Sequence, residues 1–549
     1  MFRLSKYCLF VGICLLAAGC YHERKDADNV FRYNEATGIA SLDPAFAKNQ
    51  SIMWAVHQLY GTLVEVDSAL HLVPSLATRW AVSPDRRTYT FTLRSDVYFH
   101  DDPCFPGGQG RRMTAHDAVY SFSRIIAERT ASPGAWIFQD KVDSLRPFVA
   151  VNDTTFELHL RQPYQPVIGI LSMQYCSIVP REAVEKYGAD FRRHPVGTGP
   201  FRFVAWEEGQ ALILQRHGRY HERDAAGKAL PYLEGIRVSF YDSKATEFLL
   251  FRQGKLDFLN DIDASFKDEV LSRKGTLRKE WEGRVQLITH PYLNTEYLGL
   301  LVDTTNALLK ASPTRQRLVR QAINWAFDRR KLVLYLRNSL GIPAESGFVP
   351  AGLPSFSAEE VKGYSYDPAK ARALLKEAGF EGRPLPPIKL QTIPVYAEIG
   401  NYIARQLGEV GIPVQVDVVQ KSLLLDLTAN SKTLFFRGSW IADYPDAENY
   451  LSVFYSKNPA PPNYTRYNSP EFDAVFERAL AETNDSLRYR LYREADRIML
   501  RDAPIVPLWY DMAVRLVQPG IRNFPANALN LLELRRTVLN REQGIRNRE

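Results

Sequence analysis

The chain has 549 residues, 24% of them charged and 45% hydrophobic, with a formal net charge of +7. That length allows two or three packed units with ample cores, and the basic residues are scattered, so nucleic-acid binding gains no support. Beyond the first twenty residues no apolar run is long enough to span a bilayer.

The first 19 residues read as a removable leader. Arg3 and Lys6 give the positive start, Tyr7 to Ala18 is apolar, and Leu15-Leu16-Ala17-Ala18-Gly19-Cys20 ends in small residues before a cysteine. A run this short is a signal-peptide core and does not cross a membrane. The small-small-Cys ending is the pattern at which a bacterial signal peptidase cuts after lipid is attached to the cysteine sulfur. Ala17 stands where Leu is commoner, and an ordinary secretory signal with an incidental cysteine is the alternative. Either way the mature chain is expected outside the cytoplasm, as a periplasmic or cell-surface lipoprotein. Two acyl chains on Cys20 would make the anchor stable. Removing residues 1–19 takes away two bases and no acids, which lowers +7 to +5. Cys8 and Cys14 leave with the leader, so Cys104 and Cys176 remain as a possible disulfide in an oxidising compartment.

In chain order, the first third alternates short strands with tight turns. Ser83-Pro84-Asp85-Arg86 is a turn, and Thr88 to Leu93 alternates strictly, so Tyr89, Phe91 and Leu93 are expected in a core. Asn152-Asp153 marks a second hairpin, and Thr114-Ala115-His116-Asp117 opens a helix through Ile126. Helices and strands then alternate. Leu318, Ala322, Ile323, Ala326 and Phe327 recur at helical spacing. Asp367, Pro368 and Gly379 punctuate a helix as cap, first turn and left-handed stop. Ile403 to Val410 reads as a helix, with Gly411 as its end and Val414, Val416 and Val418 as the next strand. This is α/β architecture, and the tail after Arg535 is polar.

Enzyme signatures are missing. There is no G-x-S-x-G or H-E-x-x-H, and Gly197-Thr198-Gly199 has Arg202 where a dinucleotide loop needs its third glycine. His217 and His221 are four apart, but Gly218 and the polar run to Lys228 make a solvated surface loop the expectation. All ten histidines precede residue 291. No catalytic residue, metal or cofactor is expected.

Seven segments, in order, carry a resemblance. They are Ser41-Leu42-Asp43-Pro44; His57 to Leu63; Leu72 to Ala77 with Trp80; Phe91 to Arg94 with Phe99-His100-Asp101; Pro195 to Phe201; Arg320 to Arg329; and Trp440 to Asp446. From residue 30 to about 515 the chain resembles the bacterial extracellular solute-binding proteins of family 5, the dipeptide-, oligopeptide- and nickel-type receptors of ABC importers. The resemblance implies a two-lobed α/β protein of the periplasmic-binding-protein type II fold, with an extra subdomain on the first lobe. It implies a first lobe over 20–285, a subdomain near 61–199, a second lobe over 286–505, and a return to the first lobe with the tail over 506–549. Ligand would be enclosed as the lobes close, because contacts to both lobes favour the closed form.

In peptide-binding relatives the acid of the W-x-A-D-Y pattern receives the ligand's α-ammonium, which assigns that role here to Asp443, with Trp440 and Tyr444 as apolar walls. Asp446 fits better as a helix cap. Asn34, Glu35 and Gly38 correspond to a segment beside the ligand backbone. Gly197 to Phe201, Asp328 and Ser41 to Pro44 read as structural turns and helix ends. The implied partners are short peptides, an ABC permease with its ATPase subunits, and the membrane through the lipid anchor, with the receptor acting as a monomer. A receptor of the same fold for a metal chelate, haem, oligosaccharide or other solute is the alternative. A secreted hydrolase or an adhesion lipoprotein ranks below it.

Overall fold

A computed structural model describes residues 29–541. The leader and Cys20 lie outside the described residues.

Three principal sheets organise the chain. In the first, Val30–Asn34 pairs in parallel with Gly235–Ser239, which continues antiparallel to Ala211–Arg216 and Phe201–Glu207. The second is an antiparallel sheet in the order Ala77–Val82, Thr88–Leu93, Thr155–His159, Phe148–Asn152. The alternation at Thr88–Leu93 does what it implies: Tyr89, Phe91 and Leu93 are buried, and the helix Ala115–Ile126 is packed against the neighbouring strands. Asp117 closes that helix start by accepting from the Thr114 amide at 2.8 Å.

The third sheet is mixed, in the order Phe258–Asn260, Ile505–Val517, Gln286–Leu300, Phe435–Ile441, Ile388–Thr392, Val414–Val418, with Ile342–Pro343 pairing on Ile505–Val517. Its two long strands run antiparallel, from Gln286 opposite Val517 to Gly299 opposite Ile505, with a register break between Pro291 and Thr295. Val517 packs into the core of Phe31, Trp54 and Phe91, whereas Leu298, Leu300, Val506 and Leu508 pack with Ile323 and Ile403. These strands therefore join the two lobes, and a proline at the break removes one ladder donor midway.

The Pro368–Glu377 helix follows its punctuation, with Asp367 accepting from Lys370 N at 2.9 Å and Gly379 at φ +86°. The predicted run through Phe327 divides. One helix is Arg317–Trp325, and Asp328 caps the next, Arg329–Leu336, by accepting from Lys331 N at 3.0 Å. The helix read from Ile403 begins earlier, at Ala397, and ends at Glu409.

Three sequence expectations change or sharpen. The Cys104–Cys176 disulfide is absent: both are free thiols, Cys176 inside the first-lobe core and Cys104 at its edge. His217 is buried, not solvated. Its ring meets the His100 ring edge-on at 4.7 Å, and its Nδ1 lies 3.2 Å from Gly199 O, so burial pushes its pKa down to about 4. The glycines of Gly197-Thr198-Gly199 are forced by close approach, since a Cβ on Gly197 would stand 2.1 Å from Leu59 O and one on Gly199 2.4 Å from Leu59 C.

Candidate functional site

The strand Phe435–Ile441 ends on the second lobe where the chain must turn into the short helix Glu448–Leu451. Ala442 still bonds to Leu293 O at 2.9 Å, and Asp443 follows as the first residue free of the ladder. The N-cap position of that helix is Ala447, and Asp446 one residue earlier holds the turn into it: it accepts from the Glu448 amide at 2.9 Å and pairs with the buried Arg488 at 3.2 Å. Its carboxylate is fully used by structure.

Asp443 is different. Its residue is exposed to solvent, yet the surrounding protein crowds the carboxyl enough that burial pushes its pKa up, against the opposing bond to Asn449. Solvent still reaches the residue from one side. Among the described residues no Lys or Arg forms an ion pair with it. On the first-lobe side stands Tyr175, whose hydroxyl is raised to about 12 by burial and then by the Asp443 charge. Tyr175 lies over Gly134, where a Cβ would come within 2.4 Å of its ring.

Asn449 ties the local group together. Its Oδ1 accepts from Trp440 Nε1 at 3.0 Å and from the Asp443 amide at 3.4 Å. Trp440 is half-buried and packs on the second-lobe core, with Ile441 exposed beside it. Tyr444 is buried and its hydroxyl bonds Glu448, so its ring faces the first lobe instead of the open cleft. Trp136 lies 6.3 Å from it, and Lys141 reaches over the rings of Trp136 and Tyr164. Burial pushes Glu448 up to about 7. Two further hydrogen bonds extend this bridge between lobes, the Gln165 amide donating to Leu480 O at 2.9 Å and the Arg86 side chain donating through Nη1 to Ala481 O at 2.6 Å.

Of the first-lobe candidates, Asn34 is buried with both ends of its amide committed, Nδ2 to Tyr241 O at 2.9 Å and Oδ1 from Tyr241 N at 2.7 Å. Glu35 is half-buried, accepts from Thr37 Oγ1 at 2.7 Å, and is raised by burial. Gly38 turns the chain at φ +72°. The other polar groups of the second-lobe sheet face are paired. Asp511 accepts from Arg337 at 2.7 Å, Asn294 at 2.6 Å and Trp509 at 2.7 Å, and Glu296 pairs with Arg437 at 2.6 Å. Sequence reading missed Tyr175 and Asn449. The only available signal was Asn449 within the first helical turn after Asp446.

No helix of the described residues is long and apolar enough to cross a membrane, and no group of three or more His, Cys, Asp or Glu among them is arranged to hold a metal.

The chain is 26% identical over 530 residues to the heme-binding protein A of Haemophilus influenzae, covering 91% of this chain and 90% of that protein. It is 26% identical to the periplasmic oligopeptide-binding protein OppA of Salmonella typhimurium, covering 89% of each. Among solved structures, HbpA2 from Haemophilus parasuis superposes with a TM-score of 0.81 at 23% identity, over 93% of this chain and 100% of that one. The family described as bacterial extracellular solute-binding proteins, family 5 Middle, matches residues 71–462. Two lobes joined by long strands and a family match over most of the chain have one reading: the protein belongs to the bacterial extracellular solute-binding proteins of family 5.

Proposed function

We propose that the protein is a lipid-anchored receptor that captures short peptides between its lobes and delivers them to an ABC import permease. Asp443 carries the reading. It is a solvent-facing carboxylate that forms no ion pair among the described residues, while Asp446, Asp511 and Glu296 of the same lobe are paired. An enclosed ligand ammonium needs such a partner, because burying an unpaired charge is costly. Trp440 and Ile441 offer apolar surface beside it, suited to varied side chains. Closure over the ligand would present the permease with a loaded shape distinct from the empty one. The leader ending at Cys20 supports anchoring on the outer side of a membrane.

Equal identity to a heme-binding and an oligopeptide-binding relative keeps haem as the second reading. The charge argues against it: haem presents carboxylates, which Asp443 would repel, whereas a peptide amino terminus is attracted. Native mass spectrometry of gently purified protein tests the choice. A bound mass of a few residues, fragmenting as peptide, is expected; a haem or metal-chelate mass would overturn the peptide reading.

A further inference from the structure

We propose that Leu70 and Tyr444 are reciprocal latches, each seated in the core of the opposite lobe, which hold the two lobes closed before any ligand arrives. The inference rests on the reading of the protein as a closing receptor and adds a ligand-independent share to the closure.

Leu70 carries the argument. It lies at the tip of the hairpin formed by Val64–Val66 and Leu72–Pro74. The base of that hairpin belongs to the first lobe. Val64 is buried in the core of Phe31, Trp54 and Phe91, Leu72 packs against the same core, and Glu65 is held by Arg535. The tip belongs elsewhere. Leu70 is 3% exposed and lies in the second-lobe core of Phe348, Tyr450, Phe454 and Met499, with Val66 packed against that core.

The turn itself does not call for leucine. The Asp67 carboxylate accepts from the amides of Ala69 and His71 at 2.8 Å each, and Leu70 N donates to Asp67 O at 3.0 Å. This turn sets Leu70 at φ +64°, a left-handed position that Gly or Asn fills more readily. A leucine there is disfavoured by the backbone and is offset by burial, which the other lobe supplies.

Tyr444 makes the converse insertion. It follows the second-lobe strand Phe435–Ile441, is 3% exposed and belongs to the first-lobe core. Its ring lies 6.3 Å from that of Trp136 and packs over Gly169, where a Cβ would stand 3.9 Å from Tyr444 Cδ2. Its hydroxyl bonds Glu448 of its own lobe, so the phenol enters the first lobe with its polar partner already in place. Separating the lobes returns both side chains to water, which biases the empty receptor toward closure.

Small-angle X-ray scattering of the unliganded mature protein tests this without any ligand. The unaltered protein should scatter as the closed particle. Leu70→Gly removes the seated side chain while suiting the φ of the turn, so the ratio of closed to open should fall by about tenfold or more, read as a larger radius of gyration. Leu70→Met keeps an apolar side chain and should stay near the unaltered value. Tyr444→Ala is a second variant with the same expected direction as Leu70→Gly, and circular dichroism reports that each variant is folded. An unchanged radius of gyration in folded Leu70→Gly or Tyr444→Ala, or an unaltered protein that is already open, overturns the proposal. The peptide reading fails separately, if free and N-acetylated trialanine bind the unaltered protein equally.

Discussion

Asp443 and Asp446 stand three residues apart and divide two jobs that sequence alone leaves tangled. Asp446 holds a helix start and one side of the buried Arg488, whose other partner is Asp485 at 2.9 Å, so Asp446→Ala loses the turn contact and leaves the arginine with its more exposed partner alone. Its cost should exceed the roughly 1 kcal/mol of a lost cap and stay below the about 3–5 kcal/mol of a fully stranded buried charge, read as a lowered urea midpoint. Asp443→Ala breaks no ion pair among the described residues, so stability should hardly change. The Asp443 pattern was legible from W-x-A-D-Y. The pairing of Asp446 was not, because Arg488 arrives from a distant helix. The cysteines give a second residue-scale prediction. Denatured mature protein should show Cys104 and Cys176 as free thiols, and in the native protein Cys104 should react slowly and Cys176 more slowly still. Cys176 is buried in the core and burial raises both thiols, Cys104 to about 12. A mass consistent with a disulfide would contradict the structure.

At the scale of elements, punctuation was read well where local chemistry decides. Thr88–Leu93 and Pro368–Glu377 needed only alternation, a cap, a proline and a glycine. It was read poorly where packing decides. His217 sits among polar neighbours in sequence, but His100 and the Gly197–Gly199 loop enclose it. The same loop yields a prediction: Gly199→Ala drives a Cβ into the Leu59 backbone and should destabilise by about 3 kcal/mol, measured by denaturant unfolding. The bridge between lobes yields another. Glu448 has its carboxyl raised to about 7 from 4.5, so its protonated form favours the native state. That contribution is fully present below the unfolded value near 4.5 and is lost as pH rises through 7. Thermal unfolding from pH 4.5 to 8 should therefore show a fall in stability, on the order of 3 kcal/mol at most. Glu448→Gln should flatten that part of the fall. An unchanged slope in the variant would assign the effect elsewhere, with the buried Asp496, also near 7, as the first alternative.

For the whole molecule, Gln286–Leu300 and Ile505–Val517 run through the cores of both lobes, so a closing rotation in the proposed receptor would be taken up at these shared strands. Tyr175 and Asn449 became visible only here: one is brought to Asp443 from the other lobe, the other folds back from the next helix, and neither approach is written in local periodicity. The proposed anchor is tested by Cys20→Ser, which should release the protein from membranes; continued membrane partition after leader removal would contradict lipid attachment at Cys20. The central claim is that Asp443 receives a ligand ammonium. Calorimetry of the unaltered protein with trialanine and with N-acetyltrialanine tests it most directly, because acetylation removes the cation and leaves the carboxylate enclosed without a partner. The account predicts that acetylation costs about 3–5 kcal/mol, roughly two to four decades in affinity, and that Asp443→Ala loses a similar amount for the free peptide. Equal affinity for the two peptides would contradict it.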